Sequence, residues 1–218
     1  MSPLFSSRSD AAEALAERLE SMQLAPPVVV LALPRGGVPI GAVVARRLHG
    51  ALDLVLVRKI GVPWQPELAV AAVVDGQPPD IVVDDEVQRL TGVSRDEIDA
   101  QAVIELAEIA RQRRLYLRDR EPIALGGATA VVVDDGIATG TSIRAALKAL
   151  RQRHAAWLVL AVPVAPCDVV AALRLLVDEL VCLAEPHPFR AVGLHYGDFG
   201  QVSDAQVLAA LEEARTRR

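Results

Sequence analysis

Short runs of apolar, largely β-branched residues alternate along this chain with helical patterns, and each run ends in a loop. Val28 to Leu33 stops at Pro34-Arg35-Gly36-Gly37 and is followed by a helical stretch from Val38 to Leu48. Ala130 to Val133 runs into Asp134-Asp135-Gly136 and then a helix to Arg153. Trp157 to Val162 precedes a helix from Cys167 to Val177, and Leu180 to Leu183 closes the series. Continuous apolar runs of this length suit strands buried on both faces, the condition of parallel strands covered by crossover helices. The alternation predicts an α/β fold with a mostly parallel, doubly wound sheet and ligands at the carboxyl ends of its strands. Composition agrees, since the chain is 52% hydrophobic with only 3% aromatics, so small aliphatic side chains rather than aromatic anchors fill the core.

Other segments fill in the plan. Ser9 to Leu24 reads as an amphipathic helix with Leu15, Leu19 and Met22 on one stripe, ended by Pro26-Pro27. Leu52 to Val57 reads as a strand ending at Arg58-Lys59. Leu68 to Val74 and Ile81 to Val83 read as strands around Asp75-Gly76-Gln77-Pro78-Pro79, a candidate hairpin. From Ser94 to Arg118 the pattern is a long charged helix opened by Ser94-Arg95-Asp96-Glu97, a capping box in which Ser and Glu satisfy each other's backbone N–H groups. Ser203-Asp204-Ala205-Gln206 opens a last helix in the same way. At 218 residues one domain with a small appendage is expected.

Several function classes are disfavoured. Lys and Arg total 23 against 28 Asp and Glu, a net charge of −5 with no long basic block, whereas nucleic acid and anionic membranes are bound by clustered positive charge. The longest nearly apolar stretch, Ala155 to Pro166, falls short of the roughly 18 residues a spanning helix needs. Met1-Ser2-Pro3-Leu4-Phe5 leads into an acidic helical pattern rather than a signal peptide, so a cytoplasmic location is expected. Cys167 and Cys182 form neither a disulfide framework nor a zinc pattern and are expected to act as small apolar residues.

The most informative stretch is Val131-Val132-Val133-Asp134-Asp135-Gly136-Ile137-Ala138-Thr139-Gly140-Thr141-Ser142. A buried strand delivers two carboxylates to its carboxyl end, and a turn of small residues then offers N–H groups at a helix N-terminus, an anion site. Carboxylates that accept from vicinal hydroxyls, next to an N–H cradle for phosphate, describe a sugar-phosphate site. Thr139, Thr141 and Ser142 add hydroxyl donors, and no Lys stands where a Walker A loop requires one.

These twelve residues resemble the phosphoribosyl-diphosphate (PRPP) motif of type I phosphoribosyltransferases, whose fold is Rossmann-like with a hood. The resemblance implies that Asp134 and Asp135 bind the ribose hydroxyls and hold Mg²⁺, through water, while Ala138, Thr139, Gly140, Thr141 and Ser142 take the 5-phosphate. Pro34-Arg35-Gly36-Gly37 is similar to the family's pyrophosphate loop, where Arg35, Gly36 and Gly37 would grip the diphosphate. A non-proline cis bond is expected there at Arg35–Gly36, with Pro34–Arg35 as the alternative. Arg58-Lys59 looks like the Arg-Lys segment after the second core strand of purine-using members, with a solvated edge guard as the plain alternative. The family's hood maps to about residues 60–125 within a single domain of 1–218, and 185–218 would complete the hood or an interface. Arg111, Arg113, Arg114, Arg118 and Arg120 are read as a solvated helix face or dimer surface.

The activity implied is that of an Mg²⁺-dependent glycosyltransferase (pentosyltransferase) of nucleotide metabolism, a homodimer that moves 5-phosphoribosyl from PRPP to a nitrogenous acceptor and releases pyrophosphate. Arg35, Lys59, Asp134 and Asp135 are its candidate catalytic residues. Ala138 stands where 6-oxopurine members carry an Asp, which disfavours hypoxanthine and guanine as acceptors. Trp64 and His195-Tyr196-Gly197-Asp198-Phe199 are the places to look for an acceptor pocket, although rings in such a stretch commonly pack the core. Two alternatives remain open at this level: a PRPP-sensing regulatory protein of the same fold, and an unrelated sugar-phosphate hydrolase acting through Asp134. The latter would want Asp-x-Asp, because adjacent strand residues point to opposite faces.

Overall fold

The computed structural model describes residues 3–76, 78–118 and 120–216, so Met1, Ser2 and Gln77 of the expectations above lie outside the described residues. In chain order the elements are α1 (Arg8–Glu20), β1 (Val28–Ala32), α2 (Gly37–Arg47), β2 (Ala51–Leu54), β3 (Val57–Val62), β4 (Gln65–Val74), β5 (Asp80–Val83), α3 (Asp85–Thr91), α4 (Arg95–Tyr116), β6 (Thr129–Val133), α5 (Thr141–Arg151), β7 (Trp157–Val164), α6 (Cys167–Arg174), β8 (Glu179–Ala184) and α7 (Asp204–Thr216). They divide into two compact units: Met1–Leu54 with Ile123–Gly140 and Arg153–Arg218, and Val55–Pro122 with Thr141–Gln152.

The first unit holds a five-stranded sheet in the order β2-β1-β6-β7-β8, with every neighbouring pair parallel. Every residue of β1 and β6 is buried, as continuous apolar runs in a parallel sheet require. Strand order reverses between β1 and β6, so the loops after these two strands leave the same edge in opposite directions and open the crevice where such sheets take ligands. Ala12, Leu15, Ala16 and Leu19 bury one face of α1. Its polar face reaches α2, where Glu13 accepts from Arg46 and Arg47, both at 2.7 Å, and Glu20 pairs with Arg47. Buried Asp53 accepts from the Leu54 N–H and the Ile123 N–H, each at 2.8 Å. A carboxylate on β2 thereby holds the chain where it re-enters this unit.

The second unit contains the antiparallel sheet β3-β4-β5. The β4–β5 pair is the expected hairpin. One strand boundary needs correcting: β2 ends at Leu54, and Arg58 and Lys59 lie inside β3 rather than at a strand end. The reason is pairing, because the Asp75 N–H donates to the Leu56 carbonyl at 2.9 Å and the antiparallel ladder with β4 starts at Val57. Helix α3 was not anticipated. None of its residues is buried, so it has no apolar periodicity to read, and local capping defines it: Asp84 accepts from the Val87 N–H, and Gly92 ends the helix at φ 71°. Helix α4 begins as expected, with Ser94 and Glu97 in a reciprocal capping box, and buries Ile98, Ala102, Ile109 and Tyr116. Arg111 pairs with Glu108 at 2.8 Å, but Arg113 is half-buried on Asp75 at 2.6 Å rather than on a solvated face. Ser94→Ala is expected to cost about 1 kcal/mol, read as a lower urea midpoint with an unchanged slope; an unchanged midpoint would show that the cap adds nothing.

Candidate functional site

Within the first unit the structure brings two loops together. Ala32 of β1 is in register with Val133 of β6, and the Leu33 N–H extends the pairing to the Val133 carbonyl at 3.0 Å. The Pro34–Gly36 turn and the Asp134–Asp135 pair therefore emerge side by side. Helix α2 starts at Gly37 with no side chain capping its first turn, and Arg35 is exposed, 3.7 Å from Asp204 of α7. A non-proline cis bond is present at Pro34–Arg35, the alternative position, and not at Arg35–Gly36. The contact is close enough to require glycine: a Cβ on Gly36 would fall 2.0 Å from Asp135 Oδ2, a distance no side chain can occupy.

The two carboxylates differ in what holds them. Asp134 Oδ1 accepts from the Asp135 N–H at 2.8 Å. Asp135 Oδ2 accepts from Arg8 Nε at 2.8 Å, and the hydroxyl of Tyr196 donates to the Asp135 backbone carbonyl at 2.5 Å. Asp134 Oδ2 and Asp135 Oδ1 have no hydrogen-bond partner among the described residues. Burial, and then the charge on Asp135, raise Asp134 well above the usual carboxylate range. Burial also raises Asp135, against the opposing pull of Arg8. Two adjacent acids with two open oxygens are thus kept in a partly desolvated place, where a ligand's hydroxyls or a cation would be welcomed.

After the pair, the Ile137 N–H donates to the Val164 carbonyl at 2.9 Å, pinning the turn to the end of β7. Ala138 and Thr139 are exposed. Gly140 adopts φ 75°, and a Cβ there would press to 2.9 Å on Val169. Thr141 and Ser142 open α5 in the second unit. Arg58 and Lys59 also belong to that unit; Arg58 Nε pairs with Glu105 at 2.8 Å, and Lys59 is exposed. Trp64, at the β3–β4 turn, is 65% exposed.

Packing bears on other sequence expectations. Tyr196 is buried and stacks on Phe199 at 4.9 Å, so it packs behind Asp135, as rings in such a stretch commonly do. Cys167 is exposed, not apolar filling, and its contact with Glu185 raises its thiol; burial pushes Cys182 up to about 11. The supporting residues that sequence reasoning missed are Arg8, the Tyr196 hydroxyl and Gly200. No local signal could have found Arg8, which sits 127 positions from Asp135.

Among known proteins, two curated relatives from Mycobacterium tuberculosis, strains CDC 1551 and H37Rv, are provisionally named phosphoribosyl transferases. Each is 46% identical over 211 residues, or 97% of this chain and 47% of the relative, so the chain spans about half the length of the curated relatives it matches. The crystal structure of TT1426 from Thermus thermophilus is 40% identical, covers 96% of this chain and 98% of its own, and superposes with a TM-score of 0.81. The model of the phosphoribosyl transferase domain matches residues 7–168, a span that includes both strand-end loops. On that match, this chain belongs to the phosphoribosyl transferase domain family.

Proposed function

We propose that this chain binds PRPP and transfers its 5-phosphoribosyl group to a nitrogenous acceptor, a nucleobase, with release of pyrophosphate. The observation that carries the reading is the meeting of the Gly36 turn with the Asp134–Asp135 pair at the point where strand order reverses. Asp134 Oδ2 and Asp135 Oδ1 accept from the ribose hydroxyls and orient the sugar. The backbone donors of residues 138–142 and the hydroxyls of Thr139, Thr141 and Ser142 take the 5-phosphate. The first turn of α2 and Arg35 receive the diphosphate; Arg58 and Lys59 of β3 are the further cations that the family resemblance assigns to it. Negative charge grows on the departing pyrophosphate as the sugar gains oxocarbenium character, and donors fixed in advance stabilise that separation.

Mg²⁺ fits this donor set. No group of three His, Cys, Asp or Glu side chains converges as a metal cage among the described residues, whereas the Asp134–Asp135 pair would hold the ion through its water shell and leave its coordination to substrate oxygens and water. When bound, the ion neutralises diphosphate charge. In the same reading the segment from about 60 to 125 is the hood, 185–218 completes the hood or an interface, the protein works as a homodimer, and it acts in the cytoplasm. Among the described residues no helix is long and apolar enough to cross a membrane.

Calorimetric titration with PRPP tests the reading. Binding is expected with Mg²⁺ and much weaker binding in EDTA; no heat in either buffer would sink the proposal. Incubation of the PRPP-loaded protein with nucleobases then separates a transferase, which releases pyrophosphate, from a sensor, which does not.

A further inference from the structure

The open question at the acidic pair is what decides which oxygen of Asp135 faces the ligand. Asp135 Oδ2 is taken by Arg8 Nε at 2.8 Å, and both side chains are only 14% exposed. Arg8 is itself held from two other sides. Its Nη1 donates to the Gly200 carbonyl at 2.7 Å, and its guanidinium lies 3.8 Å from the centre of the Phe199 ring. Phe199 stacks on Tyr196, whose hydroxyl returns to the Asp135 carbonyl. The contacts close a ring: Asp135 carboxylate, Arg8, Phe199, Tyr196, Asp135 backbone.

The position of Arg8 is built by backbone pairing between residues 4–6 and residues 195–198. The Leu4 and Phe5 N–H groups donate to the His195 carbonyl, the Gly197 N–H to Phe5 and the Asp198 N–H to Ser6, all at 2.8–3.0 Å. Ser7 then caps α1, accepting from the Asp10 N–H, so Arg8 stands at the first helical position with little freedom. A surface ion pair between flexible side chains is worth little. A guanidinium fixed by a carbonyl, a ring and a carboxylate at once has paid its ordering cost in folding and is rigid when a ligand arrives. Tyr196, Phe199 and Gly200 lie beyond the family match at residues 7–168, so this support belongs to the chain's C-terminal segment.

We propose that Arg8 is a positioning residue for the ribose site: it occupies Asp135 Oδ2, turns Oδ1 toward the ligand, and cancels one of the two adjacent negative charges that an anionic sugar phosphate would otherwise meet. The inference rests on the PRPP reading of the site. Arg8 touches no substrate in this scheme and acts through Asp135 alone. Its planar fork is needed because one edge serves the carboxylate and the other the Gly200 carbonyl, a geometry that a lysine ammonium only half reproduces.

The test is calorimetry with Mg²⁺ on the full chain, comparing wild type, Arg8→Met, Arg8→Lys and Phe199→Leu, with PRPP and inorganic pyrophosphate as separate ligands. Arg8→Met is expected to lose about tenfold to a hundredfold in PRPP affinity, the loss of one charge-assisted contact. Arg8→Lys should recover part of that loss, and Phe199→Leu should lose severalfold. Pyrophosphate makes no contact with Asp135 Oδ1 and feels only the change in charge, so its affinity should fall by less than that of PRPP in every variant. If Arg8→Met fails to fold, Phe199→Leu and Arg8→Lys decide, each read against its own thermal melt. Wild type that does not bind PRPP overturns the functional reading and this inference with it. Wild type that binds while Arg8→Met binds equally well, or losses that are equal for PRPP and pyrophosphate, overturn this inference alone.

Discussion

Asp134→Asn is expected to weaken Mg²⁺-dependent PRPP binding by about 100-fold while making the ligand-free protein more stable at neutral pH. Hydrogen bonds to a charged group contribute about 1.5–3 kcal/mol, and about 1.4 kcal/mol is a factor of ten in affinity. The stability side follows from linkage. Burial and the neighbouring Asp135 charge raise the folded-state pKa of Asp134 above its ordinary 3.8. The folded protein therefore holds this proton more tightly than the unfolded chain does. The stability this contributes is complete below the unfolded pKa and is lost as pH rises through the folded one. Above that window the wild type keeps an ionised, poorly solvated carboxylate, and the neutral amide escapes the cost while its Oδ1 can still accept from the Asp135 N–H. Urea midpoints measured in EDTA at pH 4 and pH 8 check this: the advantage of the variant should grow with pH. A variant less stable than wild type at pH 8, or one with full PRPP affinity, contradicts the argument.

Gly41→Leu is expected to lower stability by about 3 kcal/mol, the upper end of what overpacking a tight core costs, and the melting temperature by about 6–12 °C at roughly 2–4 °C per kcal/mol. Glycine inside a helix is itself unfavourable by about 1 kcal/mol relative to alanine, so its presence in α2 calls for a packing reason. A Cβ on Gly41 would stand 2.8 Å from Ala32 Cβ, 3.1 Å from Val133 Cγ2 and 3.2 Å from Leu52 Cδ1. These side chains belong to β1, β6 and β2, the strands on which α2 lies. The four carbons of a leucine side chain can enter only if the helix lifts, and the Gly36–Gly37 turn at its N-terminus would lift with it. Thermal melting with circular dichroism reads the first effect, and PRPP titration of the surviving fold reads the second. An unchanged melting temperature would mean that the helix already has room.

Much of this was legible in order along the chain, and the reason differs from element to element. The buried parallel strands announced themselves because burial on both faces leaves no polar alternation, as in Val28–Ala32 and Thr129–Val133. The long helix was legible from its cap, since Ser94 and Glu97 are three residues apart and meet within one turn. Helix α3 was not, because a helix with no buried face carries no periodic signal. Arg58-Lys59 was misplaced because an apolar run continuous through Val57 does not reveal which ladder each residue joins.

The residues themselves determined the α/β class, the loops that carry the acids and the glycines, and the family, because each of those signals is local: a strand, its end and the turn that follows. Only the tertiary structure decided how Asp135 is held. Arg8 and Tyr196 lie 127 and 61 positions from it, and what brings them there is strand register and the pairing of residues 4–6 with 195–198. A contact made by folding at such separation leaves no spacing to read, since a side chain's partner across the molecule is chosen by geometry that the backbone acquires only once the sheet has formed.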